Sequence, residues 1–531
     1  MDKLLQGSIL MRVLRRIGAF LSGLFRGSAL LAGLGRAFRW CLAGRLIVYG
    51  LDYGDGPVQH SGIAAAEAGL SRRLAGAHRL GECGRSSLLY RIFAAILRSG
   101  RESRLLGWLF RDGMTGVLLT VLGLYGILDW ALRDLLAVPV LSSVWDELLL
   151  VFCLAYLVWR RVDRPEASRP RITALGFCIF VFLAVGVFLV GKVSPFFSIA
   201  VSGYRAECQY ILWFYVVLRL LRDERDFRRL YLTLLAGAAL IGLHGIYQFI
   251  VAVPIPASWT DAAEKSVRTR VFSIFGSPNI MASFTVLFAP MGAGLAYAAK
   301  DSRVKLGAWF ITFCLCFSCL FTMSRGGWLA MAAAVLIFAL LVDRRLFLLM
   351  LAAAVCATFL PFVRSRIGYL ATEDFMKATT KDGRAARWAM GMDYLRNSDP
   401  VFGFGLGMFG GAVAMQHKVY FTVSYFYLDN YYLKTLVEMG YVGLSAFILM
   451  LVSLVCTGLR TLRRTALAAP KEENRLYPLC AGLFSGLCGV MVHLYLENIF
   501  EEPYMLAYFW ILAAMMVWLG FYRKAKDVMK L

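Results

Sequence analysis

The residues of this chain best suited to chemistry are arginines beside apolar segments and one acid–amide pair. In "RAARW", Arg384 and Trp388 stand one helical turn apart with Arg387 beside them, on a helix predicted over residues 384–396. Two guanidiniums facing a membrane surface suit a diphosphate, because arginine grips phosphate bidentately. Arg325 lies in "FTMSRGGWLA", between the end of one apolar segment and the start of the next. An arginine at such a lip is costly unless solvated or paired, which makes it a functional candidate. It would reach the outer headgroup level, with Gly326 and Gly327 admitting a ligand or another backbone; the alternative is an anchor that snorkels to the interface. Arg268 and Arg270 precede "SPNIMA", where Pro278 and Asn279 read as a helix entry, a weak signal alone. Asp429 and Asn430 open the long apolar stretch that begins "YLDNYYLKTLVEMG". A carboxylate and an amide at a helix start can simply accept its free N–H groups.

Three further patterns invite chemistry more weakly. "GFGLG" resembles a nucleotide loop but lacks the flanking strand, so a tight turn is the better reading. His493, Glu497, Glu501 and Glu502 gather at the predicted outer end of a span, either as a cation site or as a solvated lip. The cysteines of "CLCFSC" (314–319) fall mid-helix in hydrocarbon, where small apolar filler is the plainer role than a metal site.

The elements that must position these residues are membrane helices. At 59% apolar residues and a mean hydropathy of +0.65, the chain is too apolar for a soluble globular protein. Candidate spans are 115–133, 143–160, 172–192, 205–221, 229–252, 279–299, 305–323, 327–343, 346–363, 433–458, 477–496 and 504–522. The expected fold class is therefore an all-α integral membrane protein with about twelve transmembrane helices, each near the roughly 20 residues that hydrocarbon requires. Loops 160–171, 219–229, 300–305 and 460–475 are basic, whereas 134–142 and 193–204 carry almost no such charge. The excess of Lys and Arg marks the cytoplasmic side, which puts both termini there and loops 253–278 and 364–428 outside. The net charge of +23 follows from this bias and from an Arg-rich N-terminal arm, so nucleic acid is not needed to explain it. Residues 1–112 form that arm, and 113–531 the polytopic domain. Within the arm, residues 10–26 and 88–110 read as basic amphipathic helices suited to an anionic inner leaflet, the alternative being a disordered basic extension.

The order of pieces resembles the O-antigen ligase/polymerase family of polytopic membrane glycosyltransferases. The matching elements are "SPNIMA" before a span, "SRGGWL" at an outer lip, "RAARW" and "PVFGFGLGMF" in a large outer loop, and "DNYYLKTLVEMGYVGL" entering the next helix. The resemblance implies transfer of a glycan from an undecaprenyl-diphosphate carrier to a glycan, lipid or protein acceptor outside a bacterial cytoplasmic membrane, with no cofactor or metal. Carried over by position, it assigns catalytic roles to Arg325, Arg384 and Asp429, and substrate contacts to Trp388, Asn430 and Glu438; Arg387 and Arg270 are substrate-contact candidates from their own placement. Where the family has histidine this chain has Asp429. A carboxylate could take the proton of an acceptor hydroxyl while arginines stabilise the departing diphosphate. Its reference pKa is about 3.9 against about 6.5 for histidine, so it would need desolvation among Tyr425, Tyr427, Tyr431 and Tyr432. His417, upstream in the same loop, is the substitute base. Glu438 falls on the acidic position of the family's E-x-G-x-x-G stretch, where it would orient Arg325 or Arg384 or fill a wet cleft. Two other readings stay open: a transporter or lipid-glycan flippase, and an inactive envelope-assembly scaffold. Repeated halves with polar mid-membrane helices, which a transporter tends to show, are not evident in the sequence.

Overall fold

The computed structural model describes residues 56–523, apart from 105–106, 138, 164–171, 195, 255, 257–268, 370–382, 418–426, 469 and 471–473. The amphipathic helix expected over 10–26 lies outside the described residues, as do Arg268 and Tyr425. Every named element among the described residues is helical. Besides two single turns, Gly56–Gln59 and Gly107–Phe110, the helices that precede the bundle among the described residues are α1 (Gly62–Ala75), α2 (His78–Ser86) and α3 (Leu88–Glu102). The first half of the bundle comprises α4 (Gly113–Gly123), α5 (Tyr125–Trp130), α6 (Pro139–Asp163), α7 (Ala174–Lys192), α8 (Phe197–Glu207), α9 (Trp213–Leu220) and α10 (Glu224–Val251). The second comprises α11 (Pro278–Ala298), α12 (Ser302–Phe321), α13 (Arg325–Leu341), α14 (Arg345–Thr358), α15 (Pro361–Tyr369), α16 (Arg384–Asn397), α17 (Ala412–His417), α18 (Tyr431–Leu467), α19 (Leu476–His493) and α20 (Pro503–Val517).

Each expected span has a helical counterpart, but the count of about twelve is not reached by length and composition. Among the described residues 7 helices are long and apolar enough to cross a membrane, or 8 if a bent pair is one span. That pair, Gly113–Gly123 and Tyr125–Leu135, is bent by 72°. The break is satisfied from afar, by the Tyr508 hydroxyl accepting the Gly126 amide at 2.7 Å. The expected span 205–221 is interrupted at Cys208 between α8 and a 3-10 turn. α6 carries Asp146, Glu147, Arg160 and Arg161, and α13 and α14 are shorter apolar helices.

α11 and the span Pro503–Tyr522, which begins with α20, run through the middle of the bundle, with 94% and 89% of their most apolar stretch buried. α11 starts cleanly because the Ser277 hydroxyl accepts the Ile280 amide and Pro278 sits in the first turn, where its missing N–H costs nothing. Its approach to α19 is close: a Cβ on Gly486 would stand 2.3 Å from the Leu287 carbonyl oxygen. Small residues at membrane helix contacts permit such backbone proximity. This contact sets the start of α11 against the end of α19.

Loops segregate by charge. Arg160 donates to the Arg219 carbonyl, Arg523 pairs with Glu224 at 2.6 Å, and Arg229 with Asp112 at 2.6 Å. Arg219 pairs with Glu67 and Arg85 with Asp163, so the α1–α2 helices join this basic end. The poorly charged 193–204 segment instead meets the glycine loop, whose Gly407 amide would lie 2.5 Å from a Cβ on Gly203.

α18 is broken at Gly440, which adopts φ 65°. The "PVFGFGLG" segment docks into this break. Phe404 and Gly405 amides donate to the Val437 and Glu438 carbonyls at 2.8 and 2.9 Å, and the Tyr441 amide donates to Pro400 at 2.9 Å. Non-helical backbone at membrane depth is tolerated only where protein satisfies it, and this loop does so. A Cβ on Gly440 would stand 2.3 Å from the Val401 carbonyl, so only glycine fits.

Candidate active site

The site is assembled around the connection between α19 and α20, residues 494–502. The Leu494 carbonyl accepts the Tyr431 amide at 2.8 Å, and the Leu496 carbonyl accepts Arg384 Nη2 at 3.3 Å. The Asn498 amide group donates to the Gly410 carbonyl at 2.9 Å. Glu501 accepts the Ala412 amide at 3.2 Å. One short stretch thus touches the start of α18, the arginine helix α16 and the glycine loop.

α16 reads directly onto residues 427–429. Arg387 donates through Nη2 to Asp429 Oδ2 at 2.7 Å and through Nη1 to the Tyr427 carbonyl at 2.9 Å. Arg384 Nε lies 3.6 Å from the same Asp429 oxygen. Trp388 donates to the Leu428 carbonyl at 2.9 Å, and its ring meets Tyr495 edge-on at 5.5 Å. Asp429 itself has φ 53°, a left-handed conformation costing a non-glycine residue about 1 kcal/mol or more. Capping falls to its neighbour: Asn430 Oδ1 accepts the Leu433 amide at 3.0 Å. The acid–amide pair therefore divides its labour, the amide starting the helix and the acid holding two guanidiniums.

A second branch arrives from α11. Arg270 is buried, donates to the Thr322 carbonyl at 3.1 Å, and lies 3.4 Å from Asn279 Oδ1. Asn279 in turn donates to Glu497 Oε2. Arg325 is half-buried at the first position of α13, where the Ser324 hydroxyl accepts the Gly327 amide. The following residue, Gly326, packs against His493 and Leu496, since a Cβ there would lie 3.0 Å from His493 Nε2. Arg384 thus reaches the 493–498 segment directly and Arg387 reaches Asp429, while Arg270 connects to Glu497 through Asn279 and Arg325 opens the helix whose Gly326 packs on His493 and Leu496.

Two sequence candidates lie apart from these contacts. His417 is exposed at the end of α17 and makes no hydrogen bond or ion pair with a described residue. Glu438 orients neither Arg325 nor Arg384. It is fully buried, accepts the Phe409 amide at 2.9 Å and pairs with Lys434 Nζ at 2.7 Å. Lys434 also pairs with Glu207 and, at 3.2 Å, with Glu501, so a buried ammonium gathers three carboxylates. The i,i+4 spacing of Lys434 and Glu438 was visible in the sequence; the other two partners come from remote elements.

The suspected cation cluster separates into independent contacts. His493 Nδ1 meets the Ser283 hydroxyl at 2.7 Å, Glu497 meets Asn279, and Glu501 meets Lys434. Among the described residues no three His, Cys, Asp or Glu side chains are placed to hold a metal. The cysteines of the 314–319 stretch lie along α12, where Cys319 donates to the Gly327 carbonyl at 3.7 Å.

Charge in the 494–502 stretch is unusual. Burial, then the charge of Asp429, pushes the Glu497 carboxyl up to about 7 against the pull of Arg384 and Asn279. Burial also raises Glu502 to about 7. The Tyr427 hydroxyl is pushed up to about 12 by burial and neighbouring acids, so it remains a donor at neutral pH.

Residues 310–448 match the sequence model of a family described as O-antigen ligase. That segment belongs to the O-antigen ligase/polymerase family. No curated protein matches the chain. The O-antigen ligase segment contains Arg325, α16, the glycine loop, His417, Asp429, Asn430 and Glu438, whereas Arg270, Asn279, His493 and Glu497 lie outside it. It gives the chain a membrane glycan-transfer role in polysaccharide biosynthesis.

Proposed function

We propose that the protein transfers a glycan from an undecaprenyl-diphosphate carrier to an acceptor on the outer face of a bacterial cytoplasmic membrane. The observation that carries this reading is the convergence of Arg384 and Arg387 on Asp429 beside the lip that bears Arg325. Glycosyl transfer from a lipid diphosphate needs charge stabilisation where the diphosphate departs, and fixed guanidiniums supply it without further reorganisation. Arg384, Arg387, Arg325 and Arg270 are assigned to the diphosphate, with the isoprenoid tail in the bilayer. Trp388 and Asn430 keep the wall of the cleft in place through Leu428 and Leu433.

Asp429 occupies the position of the family's histidine. With one oxygen engaged by two guanidiniums, it is placed to hold the arginines ready. Arginine at this pair of sites favours bidentate contact, so lysine would replace it poorly. Sidedness follows from the segregation of loops: the basic end faces the cytoplasm, with both termini, and the arginine site faces outward.

The test is transfer from purified carrier-linked donor. Arg384→Ala and Arg325→Ala should each abolish transfer while the protein reaches the membrane at parental level. Parental activity in both variants would remove the diphosphate site.

A further inference from the structure

We infer that Glu497 is the group that takes the acceptor hydroxyl's proton, and that Asn279 positions its carboxyl. This deepens the proposed function and rests on it.

Glu497 is half-buried in the connection between α19 and α20. Oε2 accepts the Asn279 side-chain amide, and Oε1 lies 3.4 Å from the Asn498 amide. A carboxylate has about four acceptor directions, so both oxygens retain one for an incoming hydroxyl. The Arg384 guanidinium spans Asp429 Oδ2 at 3.6 Å and the Leu496 carbonyl at 3.3 Å. That carbonyl belongs to the peptide leading into Glu497. Glu497 thus follows directly in the chain the residue whose carbonyl holds a guanidinium assigned to the diphosphate.

The two carboxylates of the cleft differ in their partners. Asp429 meets two cations, whereas Glu497 meets neutral amides. The Asp429 oxygen nearest the arginines is occupied by them, which leaves Glu497 as the carboxyl open to an acceptor. Its raised range, about 7, is also where a base at neutral pH works best. His493 is a poor alternative, being fully buried, bonded to Ser283 and covered by Gly326.

In the step itself the acceptor oxygen bonds to the anomeric carbon while Glu497 takes the hydroxyl proton. The bond from that carbon to the diphosphate oxygen breaks, and its electron pair leaves with the lipid diphosphate between Arg384 and Arg387. Protonated Glu497 then returns its proton to water.

The experiment measures kcat against pH for the full-length protein in detergent with undecaprenyl-diphosphate-linked glycan. Binding of undecaprenyl diphosphate alone is measured in parallel. Parental kcat should rise with pH and level off above about 7, as the carboxyl ionises. Glu497→Gln should lower kcat by about 100-fold or more and flatten the rise, with binding of the diphosphate changed by less than about twofold. Glu497→Asp keeps a carboxyl and should retain part of the activity together with a pH rise. Parental kcat in Glu497→Gln, or a lowered kcat with the rise intact, would overturn the assignment. So would a flattened profile in Asp429→Asn. Parental transfer and binding in Arg384→Ala would sink the donor site itself, whatever the Glu497 variants do.

Discussion

Replacing Lys434 by methionine should destabilise the protein more than any change at the cleft surface. The ammonium is buried among Glu207, Glu438 and Glu501, whose side chains are at most 6% exposed. Methionine keeps most of the volume, so packing changes little and the electrostatic loss is isolated. Removing one partner of a buried ion pair costs about 3–5 kcal/mol, because the remaining charge is stranded. Here three carboxylates would be stranded, and proton uptake by them offsets part of the loss, so about 3 kcal/mol is the expected figure. At about 1.4 kcal/mol per tenfold, the folded population should fall on the order of 100-fold relative to the unfolded. The assay is unfolding in mixed micelles titrated with a denaturing detergent, read by tryptophan fluorescence. Adding Glu207→Gln and Glu438→Gln to Lys434→Met should recover much of the stability, since two stranded charges disappear. A Lys434→Met protein within about 0.5 kcal/mol of the parent, the range of an ordinary surface change, would refute the reasoning.

Three other outcomes are expected. A reporter active only outside the cytoplasm should work when fused near residue 410 and stay silent near 165, 224 or 466; silence at 410 would put the site on the other face. Asp429→Asn keeps the shape but loses the charge that holds Arg384 and Arg387, so donor KM should rise with Asn430 still capping α18, while His417→Ala should leave transfer unchanged. A dead His417→Ala variant would return that histidine to the mechanism.

Much of the fold was legible because hydropathy reports which stretches must be helical in lipid. Counting spans was less secure, because breaks are decided by distant partners. Nothing local to Leu124 announces that Tyr508 will accept the Gly126 amide, and nothing in "PVFGFGLG" says that it will fill the gap at Gly440. The arginines and the Asp429–Asn430 pair were legible as a set through spacing and resemblance. Which of the two caps the helix was not, because the deciding partners of Asp429 lie on α16. Glu497 was read only as one of several acids at a lip. Its distinction comes from Asn279, which is remote in sequence and brought near by the close packing of α11 on α19.

The proposed reaction takes a glycan off a lipid diphosphate. The most direct measurement follows both products from purified protein and carrier-linked donor labelled in the sugar and in the isoprenoid. Each glycan joined to acceptor should be matched by one undecaprenyl diphosphate released, and Arg384→Ala should abolish both together. Glycan joined without release of the lipid diphosphate, or release of a monophosphate in its place, would contradict it.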